Sequence, residues 1–322
     1  MSPFPVLRLL DAEHYTPGPV LAEQLGVTRA SISLALKEAD ALGVTVHSVK
    51  GQGYRLDRAI AWLDEASVAR ALGEQRRYFD LKLYDEIDST NTALMAAATT
   101  GTPSGLVYAA ERQTAGRGRR GRRWHGELGG TLMFSLLWRF NLGVADLSGL
   151  SLAVGLAVAR AVERLGVRGA RLKWPNDIVC AEGKLGGILI ELSGDALGPS
   201  AVVIGIGLNL HLPETARQSL DQAAYDLQSL GYAGDRNALL AAILAELSIL
   251  LPEFEQRGFA PLALEWEARH AMQDGRAYLH LPNGEVVEGI ARGAAPDGAL
   301  RFETPEGERR VHAGEVSLRR AL

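Results

Sequence analysis

The sequence predicts an α+β chain in three parts: a winged helix-turn-helix over residues 1–62, a mixed-sheet domain over 66–273 and an SH3-like small β-barrel over 275–322. Three observations carry this reading. Near the N-terminus, two short helical patterns meet at a glycine and run into a two-stranded hairpin. In the middle, strand-like apolar runs alternate with runs of helical period. Toward the C-terminus, short β-type runs are separated by Pro282-Asn283-Gly284, Pro296-Asp297-Gly298 and Pro305-Glu306-Gly307, each strong turn chemistry.

Composition narrows the function classes. The 322 residues are 47% hydrophobic and 22% charged, an ordinary globular balance long enough for two or three domains. A formal net charge of -4 excludes binding polyanions by bulk charge, so any nucleic-acid site is a local patch. The single cysteine, Cys180, rules out an internal disulfide and favours a reducing compartment. It lies in the apolar stretch 178–181 and reads as a small buried side chain rather than a nucleophile. Residues 1–10 lack a signal-peptide pattern, and no apolar run reaches the roughly 18 residues of a membrane span. The expectation is a cytoplasmic protein with no membrane partner.

In the N-terminal part, residues 19–25 read as a helix with Pro19 in its first turn. Gly26 makes the turn, and Thr28 caps a second helix that stops at Gly43. Strands at 44–49 and 53–56 flank the turn Lys50-Gly51-Gln52-Gly53. Ile32 and Leu36, four apart, face the core, which leaves Arg29, Ser31, Ser33 and Lys37 outward. With Lys50 in the wing these are the candidate DNA contacts. Residues 1–62 carry six basic and six acidic side chains, so a single neutral module would hold nonspecific DNA weakly. A dimer on a two-fold site would help it. A small helical domain that binds protein is the alternative.

The central part has expected strands at 81–87, 105–110, 131–138, 187–192 and 201–209, with helices at 92–98, 148–165 and 236–256. Five motifs sit on this frame. Residues 112–124 read Arg-Gln-Thr-Ala-Gly-Arg-Gly-Arg-Arg-Gly-Arg-Arg-Trp. The glycines match G-x-G-x-x-G, but a strand-like run follows where a dinucleotide fingerprint needs a helix, and no kinase catalytic loop follows either. What remains is a flexible loop suited to anions, with backbone N–H groups and forked guanidinium donors. A basic surface loop or an RNA-binding stretch stays open. Lys173-Trp174-Pro175-Asn176-Asp177 projects a lysine, an amide and a carboxylate from a segment that Pro175 keeps out of a helix. A turn bearing a surface ion pair would look the same. Lys184, between glycines and just before a strand, is placed to reach a phosphate or carboxylate, or is an exposed hairpin lysine. Asp88-Ser89-Thr90-Asn91 either caps a helix or reads a small polar ligand. In Gly205-Ile206-Gly207-Leu208-Asn209 the glycines permit close backbone approach.

In this order the motifs resemble the biotin–protein ligase family, in its bifunctional members that are also biotin-operon repressors. The resemblance rests on residues 88–91, Gln113, 116–124, 173–177, 183–191 and 205–209, and extends from the winged helix to Gly314-Glu315-Val316-Ser317-Leu318-Arg319. It implies a class II synthetase-like catalytic domain. It also implies two reactions: biotin and Mg·ATP give biotinyl-5′-adenylate, and the adenylate acylates a lysine of a biotin carboxyl carrier domain. By the same resemblance, Ser89, Thr90, Asn91, Gln113, Gly116, Arg117, Gly118, Arg119 and Lys184 bind biotin. Arg119, Arg122, Trp124, Lys173, Asn176, Asp177, Lys184 and Asn209 surround ATP and the adenylate, with Arg119 and Lys184 catalytic and Asp177 the candidate Mg²⁺ ligand. Tyr225 is the nearest aromatic to cover the adenine. Loop ordering on the adenylate would favour a homodimer that binds operator DNA. The competing readings are a lipoate–protein ligase, a ligand-sensing transcription factor without catalysis, and an RNA-binding protein, which the 6% aromatic content disfavours.

Overall fold

The computed structural model describes residues 1–194, 198–218, 223–281, 283–312 and 317–320. Pro282 and residues 314–316, parts of two motifs read from the sequence, lie outside them. The chain divides into two compact units, one of residues 1–62 with 127–130 and one of 63–126 with 131–322.

In the first unit, α1 (Phe4–Leu7), α2 (Gly18–Leu25) and α3 (Arg29–Ala39) precede the hairpin of β1 (Val46–Val49) and β2 (Gly53–Leu56). Gly26 sits at φ 63, the left-handed conformation that lets α2 and α3 meet in a tight turn. Thr28 caps α3 by accepting the Ser31 N–H. The apolar faces bury Leu21, Ile32, Leu36 and Leu56 around Phe4 and Leu7, with Leu128 in the same cluster. This is the expected winged helix-turn-helix. The four-residue α1 was not legible, being too short to show a period.

In the second unit, α4 (Glu65–Leu72), β3 (Asp80–Ile87), α5 (Thr90–Thr99), β4 (Leu106–Gln113) and β5 (Thr131–Phe140) come first. Then follow α6 (Leu150–Arg164), β6 (Arg171–Lys173), β7 (Asp177–Val179), β8 (Lys184–Gly194), β9 (Ser200–Asn209), α7 (Glu214–Gln218), α8 (Arg236–Arg257) and α9 (Ala263–Glu267). The seven-stranded sheet runs β3-β4-β5-β9-β8-β7-β6, mixed as expected, with β3 and β4 parallel and the other neighbours antiparallel. Side chains alternate across it. On β9, Val202, Ile204, Ile206 and Leu208 join the large core with α6 and α8. Ala201 and Val203 face the other way, toward Leu94 and Ala98 of α5. That second face continues through Gly205, Gly207 and Asn209, beyond the cover of the apolar cluster, and there the site forms. Two helical stretches, 144–164 and α8, are long and apolar enough by composition to cross a membrane, but most of each is packed inside the unit.

The last five strands are β10 (Arg276–His280), β11 (Val286–Ala294), β12 (Leu300–Thr304), β13 (Gly307–Val311) and β14 (Ser317–Arg320). They form an antiparallel sheet in the order β13-β12-β11-β10-β14. The turn signals at Pro296 and Pro305 fall between consecutive strands, as expected.

Candidate active site

Helix α5 starts where β3 ends, and its first residues are buried polar ones. Ser89, Thr90 and Asn91 are 2%, 2% and 4% exposed. Ser89 caps the helix by accepting the Thr92 N–H at 3.4 Å, which is the capping alternative of the sequence reading. The Thr90 N–H donates to Gln113 Oε1 at 2.8 Å. The hydroxyls of Thr90 and Ser135 are 2.7 Å apart, and Ser135 donates to Asn91 Oδ1 at 2.6 Å. Asn91 Nδ2 passes the chain on, donating to Glu191 Oε2 at 2.9 Å and the Leu189 carbonyl at 3.3 Å. The result is a directed relay of hydrogen bonds that runs through neutral side chains and ends on the Glu191 carboxylate, so that each buried polar group has a partner.

Gly205 and Gly207 make the floor beneath this relay. A Cβ on Gly205 would stand 2.1 Å from Asn91 Oδ1, and one on Gly207 would stand 2.4 Å from the Trp124 ring. Trp124 lies across the strand there, and its indole Nε1 is buried with no hydrogen-bond partner. A buried donor without an acceptor costs stability, which suits a group that meets a ligand.

The opposite end of the same cavity is cationic. β6 and β7 pair as a three-residue hairpin around Trp174-Pro175, whose peptide bond is cis. This pairing aims Lys173 and Asp177 at the cavity. Asp177 Oδ1 meets Lys184 Nζ at 2.6 Å, while its Oδ2 is 3.7 Å from Lys173 Nζ. Asn176 accepts from Arg119 at 3.0 Å and donates to the Ile188 carbonyl at 2.7 Å. Burial lowers the Lys173 pKa, opposed by Asp177, and burial likewise lowers that of Arg119. Both shifts mark cations that have lost water and gain from an anionic ligand. Among the described residues no cluster of three or more His, Cys, Asp or Glu could hold a metal by itself. One carboxylate is nevertheless a fit for Mg²⁺ that brings phosphate oxygens with it.

Between the two ends runs the arginine- and glycine-rich segment. It folds as a narrow hairpin: Gly118 N–H donates to the Arg122 carbonyl at 2.8 Å and Trp124 N–H to the Gly116 carbonyl at 2.9 Å. Arg120 turns its tip at φ 59, a conformation that is strained for a side-chain-bearing residue. Arg117 pairs with Glu191 at 3.0 Å on the relay side. Arg119 reaches the cationic end.

Comparison with known proteins agrees with this geometry. Three family models match: a biotin/lipoate A/B protein ligase family over residues 83–209, an HTH domain over 5–55 and a biotin protein ligase C-terminal domain over 279–319. The chain is similar to the bifunctional ligase/repressor BirA of Salmonella typhimurium and to that of Escherichia coli. Each is 35% identical over 319 residues, covering 99% of this chain and 98% of the relative. The chain belongs to the biotin/lipoate A/B protein ligase family. Among solved structures it is similar to the biotin protein ligase from Aquifex aeolicus in complex with biotin and ATP. That match has a TM-score of 0.63 at 31% identity and covers 75% of this chain and 99% of the other.

Set in this family fold, the residues singled out from the sequence fall as follows. Ser89, Thr90, Asn91, Gln113, Arg117, Gly118, Arg119, Arg122, Trp124, Lys173, Asn176, Asp177 and Lys184 all line one cavity. Gly116 stands at the base of the hairpin, where a Cβ would meet the Trp124 carbonyl oxygen at 2.5 Å. Asn209 spends its amide on the carbonyls of Lys184 (3.4 Å) and Tyr225 (3.2 Å), bracing the lysine's strand. Arg217 stacks over the Tyr225 ring at 4.9 Å. In the first unit, Arg29, Lys37 and Lys50 are exposed and Ser33 is half-buried, whereas the Ser31 hydroxyl is 2.9 Å from that of Thr28. Sequence reasoning missed Ser135 and assigned Glu191 no role. A lone serine in the apolar run of β5 was the available signal for the first. For Glu191 there was none, because its partners Asn91 and Arg117 are far away in sequence.

Proposed function

We propose that the chain is an ATP-dependent biotin–protein ligase that also acts as a biotin-responsive repressor. One observation carries this reading: a single hairpin, 116–124, borders both a neutral hydrogen-bonding relay and a cluster of cations in one cavity. The relay suits an uncharged ureido ring, offering the neutral donors and acceptors of Thr90, Ser135 and Asn91, with the Glu191 carboxylate balanced by Arg117. The cations suit a carboxylate and a triphosphate, which repel each other unless positive charge lies between them. In the first step the biotin carboxylate oxygen attacks the α-phosphorus and pyrophosphate leaves. Arg119 and Lys184 hold the two anions together, and Mg²⁺ beside Asp177 would neutralise the departing pyrophosphate. In the second step the amine of a carrier lysine attacks the acyl carbon and AMP leaves. Ser89, Thr90, Asn91, Gln113 and Arg117 orient the ring. Arg122, Trp124, Lys173 and Asn176 bound the nucleotide.

The need for ATP and a carrier domain supports a cytoplasmic enzyme. The HTH module supports operator binding through Arg29, Ser33, Lys37 and Lys50. Beyond Ile188, β8 pairs only with β9 among the described strands, and this open edge supports a homodimer beside the central sheet. In this reading the hairpin orders on the adenylate and thereby favours the dimer.

The test is direct. The protein is incubated with ATP, Mg²⁺ and labelled biotin or lipoate, then with a biotin carrier domain. Biotin on a carrier lysine is the expected result. Lipoate labelling alone would replace the reading with a lipoate ligase, and binding without labelling would replace it with a sensor. Protease nicking within 116–124 slows when biotin and ATP are added together; unchanged nicking contradicts ordering.

A further inference from the structure

We propose that the C-terminal sheet positions the cationic end of the site through Trp174, which acts as a positioning residue for adenylate formation. This rests on the ligase reading and adds to it a residue that lines the cavity but to which that reading gives no ligand contact. Trp174 is fully buried between Lys173 and the Asn176-Asp177 pair, and its indole N–H donates to the Gly298 carbonyl at 3.2 Å. Gly298 belongs to the turn between β11 and β12. That turn is closed on itself, with Gly298 N–H donating to the Ala295 carbonyl and Ala295 N–H to the Ala299 carbonyl, both at 2.8 Å.

The same turn is locked against the start of α6. Gly149, the N-cap of α6, and Gly298 meet backbone to backbone, at φ 81 and φ 78. A Cβ on Gly298 would stand 2.4 Å from Gly149 Cα, and one on Gly149 would stand 2.8 Å from Phe259 Cβ. The Ser148 hydroxyl donates to the Asp297 carbonyl at 2.6 Å. Within the first turn of the helix, Ser151 donates to the Pro175 carbonyl at 3.0 Å. Three side-chain bonds therefore join three elements in a closed triangle: the turn of the C-terminal sheet, the start of α6, and the segment carrying Lys173, Asn176 and Asp177. None of the triangle's three bonds involves a residue of the relay. The indole ties the segment to the turn, so the cations keep their spacing, and Leu318 of β14 lines the same cavity beside this tie. Misplacing such groups by an ångström costs up to about 100-fold in rate.

The test uses the full-length protein and the variants Trp174→Phe and Ser148→Ala. Trp174→Phe keeps an aromatic ring in the space and removes the bond to Gly298. Its KM for ATP rises about 10-fold, with the biotin dissociation constant within about twofold of wild type, because only the cationic end loses its fixture. Ser148→Ala shifts the same constant in the same direction by less. Amide exchange at residues 173–178 quickens in both variants under native conditions. Equal shifts in ATP and biotin constants, or unchanged ATP constants with only a lower unfolding temperature, would show that Trp174 is merely structural. If Trp174→Phe does not fold, Ser148→Ala decides by the same readouts. If wild type forms no biotinyl adenylate, the ligase reading fails by itself. Faster exchange at 173–178 then still supports the triangle, and unchanged exchange overturns it.

Discussion

The two ends of the cavity are built on opposite terms. At the neutral end, Thr90, Ser135, Asn91 and Glu191 satisfy one another in a relay that is complete without a ligand. At the cationic end, Lys173, Lys184 and Arg119 lean on one carboxylate and one amide, Asp177 and Asn176. The first end is preorganised and presents a fixed pattern. The second gathers lysines and an arginine that burial has stripped of water, as the lowered pKa values of Lys173 and Arg119 show, and it gains from an anion. The difference teaches how one pocket would, in the proposed reaction, hold an uncharged ring selectively and still bring two anions together.

Removing charge from the cationic end should do the most harm. Lys184→Met is expected to slow biotin-dependent pyrophosphate release by about 10²–10³-fold, or about 3–4 kcal/mol, while biotin binding weakens less. Equal losses in both would erase the distinction between the ends. A second prediction concerns what supports that end. Leu172, next to Lys173, is held by the Arg269 carbonyl and the Ala271 N–H, and between these lies His270. His270 is buried against Trp266 with ring centroids 4.6 Å apart, and burial pushes its pKa down to about 4. The unfolded chain, near the ordinary 6.5, binds this proton more readily, so stability is full above 6.5 and falls as the pH drops toward 4. Between pH 7 and pH 5 the loss from this group is about 2 kcal/mol. His270→Phe should remove that part of the acid sensitivity in denaturant unfolding at the two pH values; an unchanged difference would mean the histidine is not its source. The smallest effect belongs to the neutral end. Ser135→Ala breaks the relay at its middle and should raise the KM for biotin about 10-fold, with kcat nearly unchanged. A fall in kcat with constant KM would place the relay in the chemistry instead.

Much of this was legible in the sequence because the signals were local. Thr28 and Ser89 announce helix starts through their own side chains, and proline-glycine turns space the last strands. The strand glycines at 205 and 207 read as places of close approach, and Asn91 and Trp124 fill those places. The central sheet was predicted with five strands, whereas seven form. β6 and β7, three residues each, are too short for a two-residue period to show, and Pro175 interrupts the hairpin they make. The partners of Arg117 and Trp174 could not be read either. Glu191 and Gly298 lie far along the chain, and only folding brings them near. For Asp177, the expected Mg²⁺ ligand, the sequence did not show that its two oxygens also face Lys184 and Lys173.

One buried ion pair marks the N-terminal edge of the second unit. Glu111 and Arg236 are 2% and 0% exposed and meet each other on the core side of β4. The second oxygen of Glu111 accepts the Leu63 N–H at 2.7 Å, and Asn237 accepts the Asp64 N–H at 2.7 Å. An excised fragment starting at Leu63 keeps both donors. A fragment starting three residues later strands a carboxylate oxygen in a dry interior, at a cost of about 1–3 kcal/mol. The boundary that matters to anyone cutting this protein is thus set by a hydrogen-bond debt, and the exposed stretch just upstream is where the knife belongs.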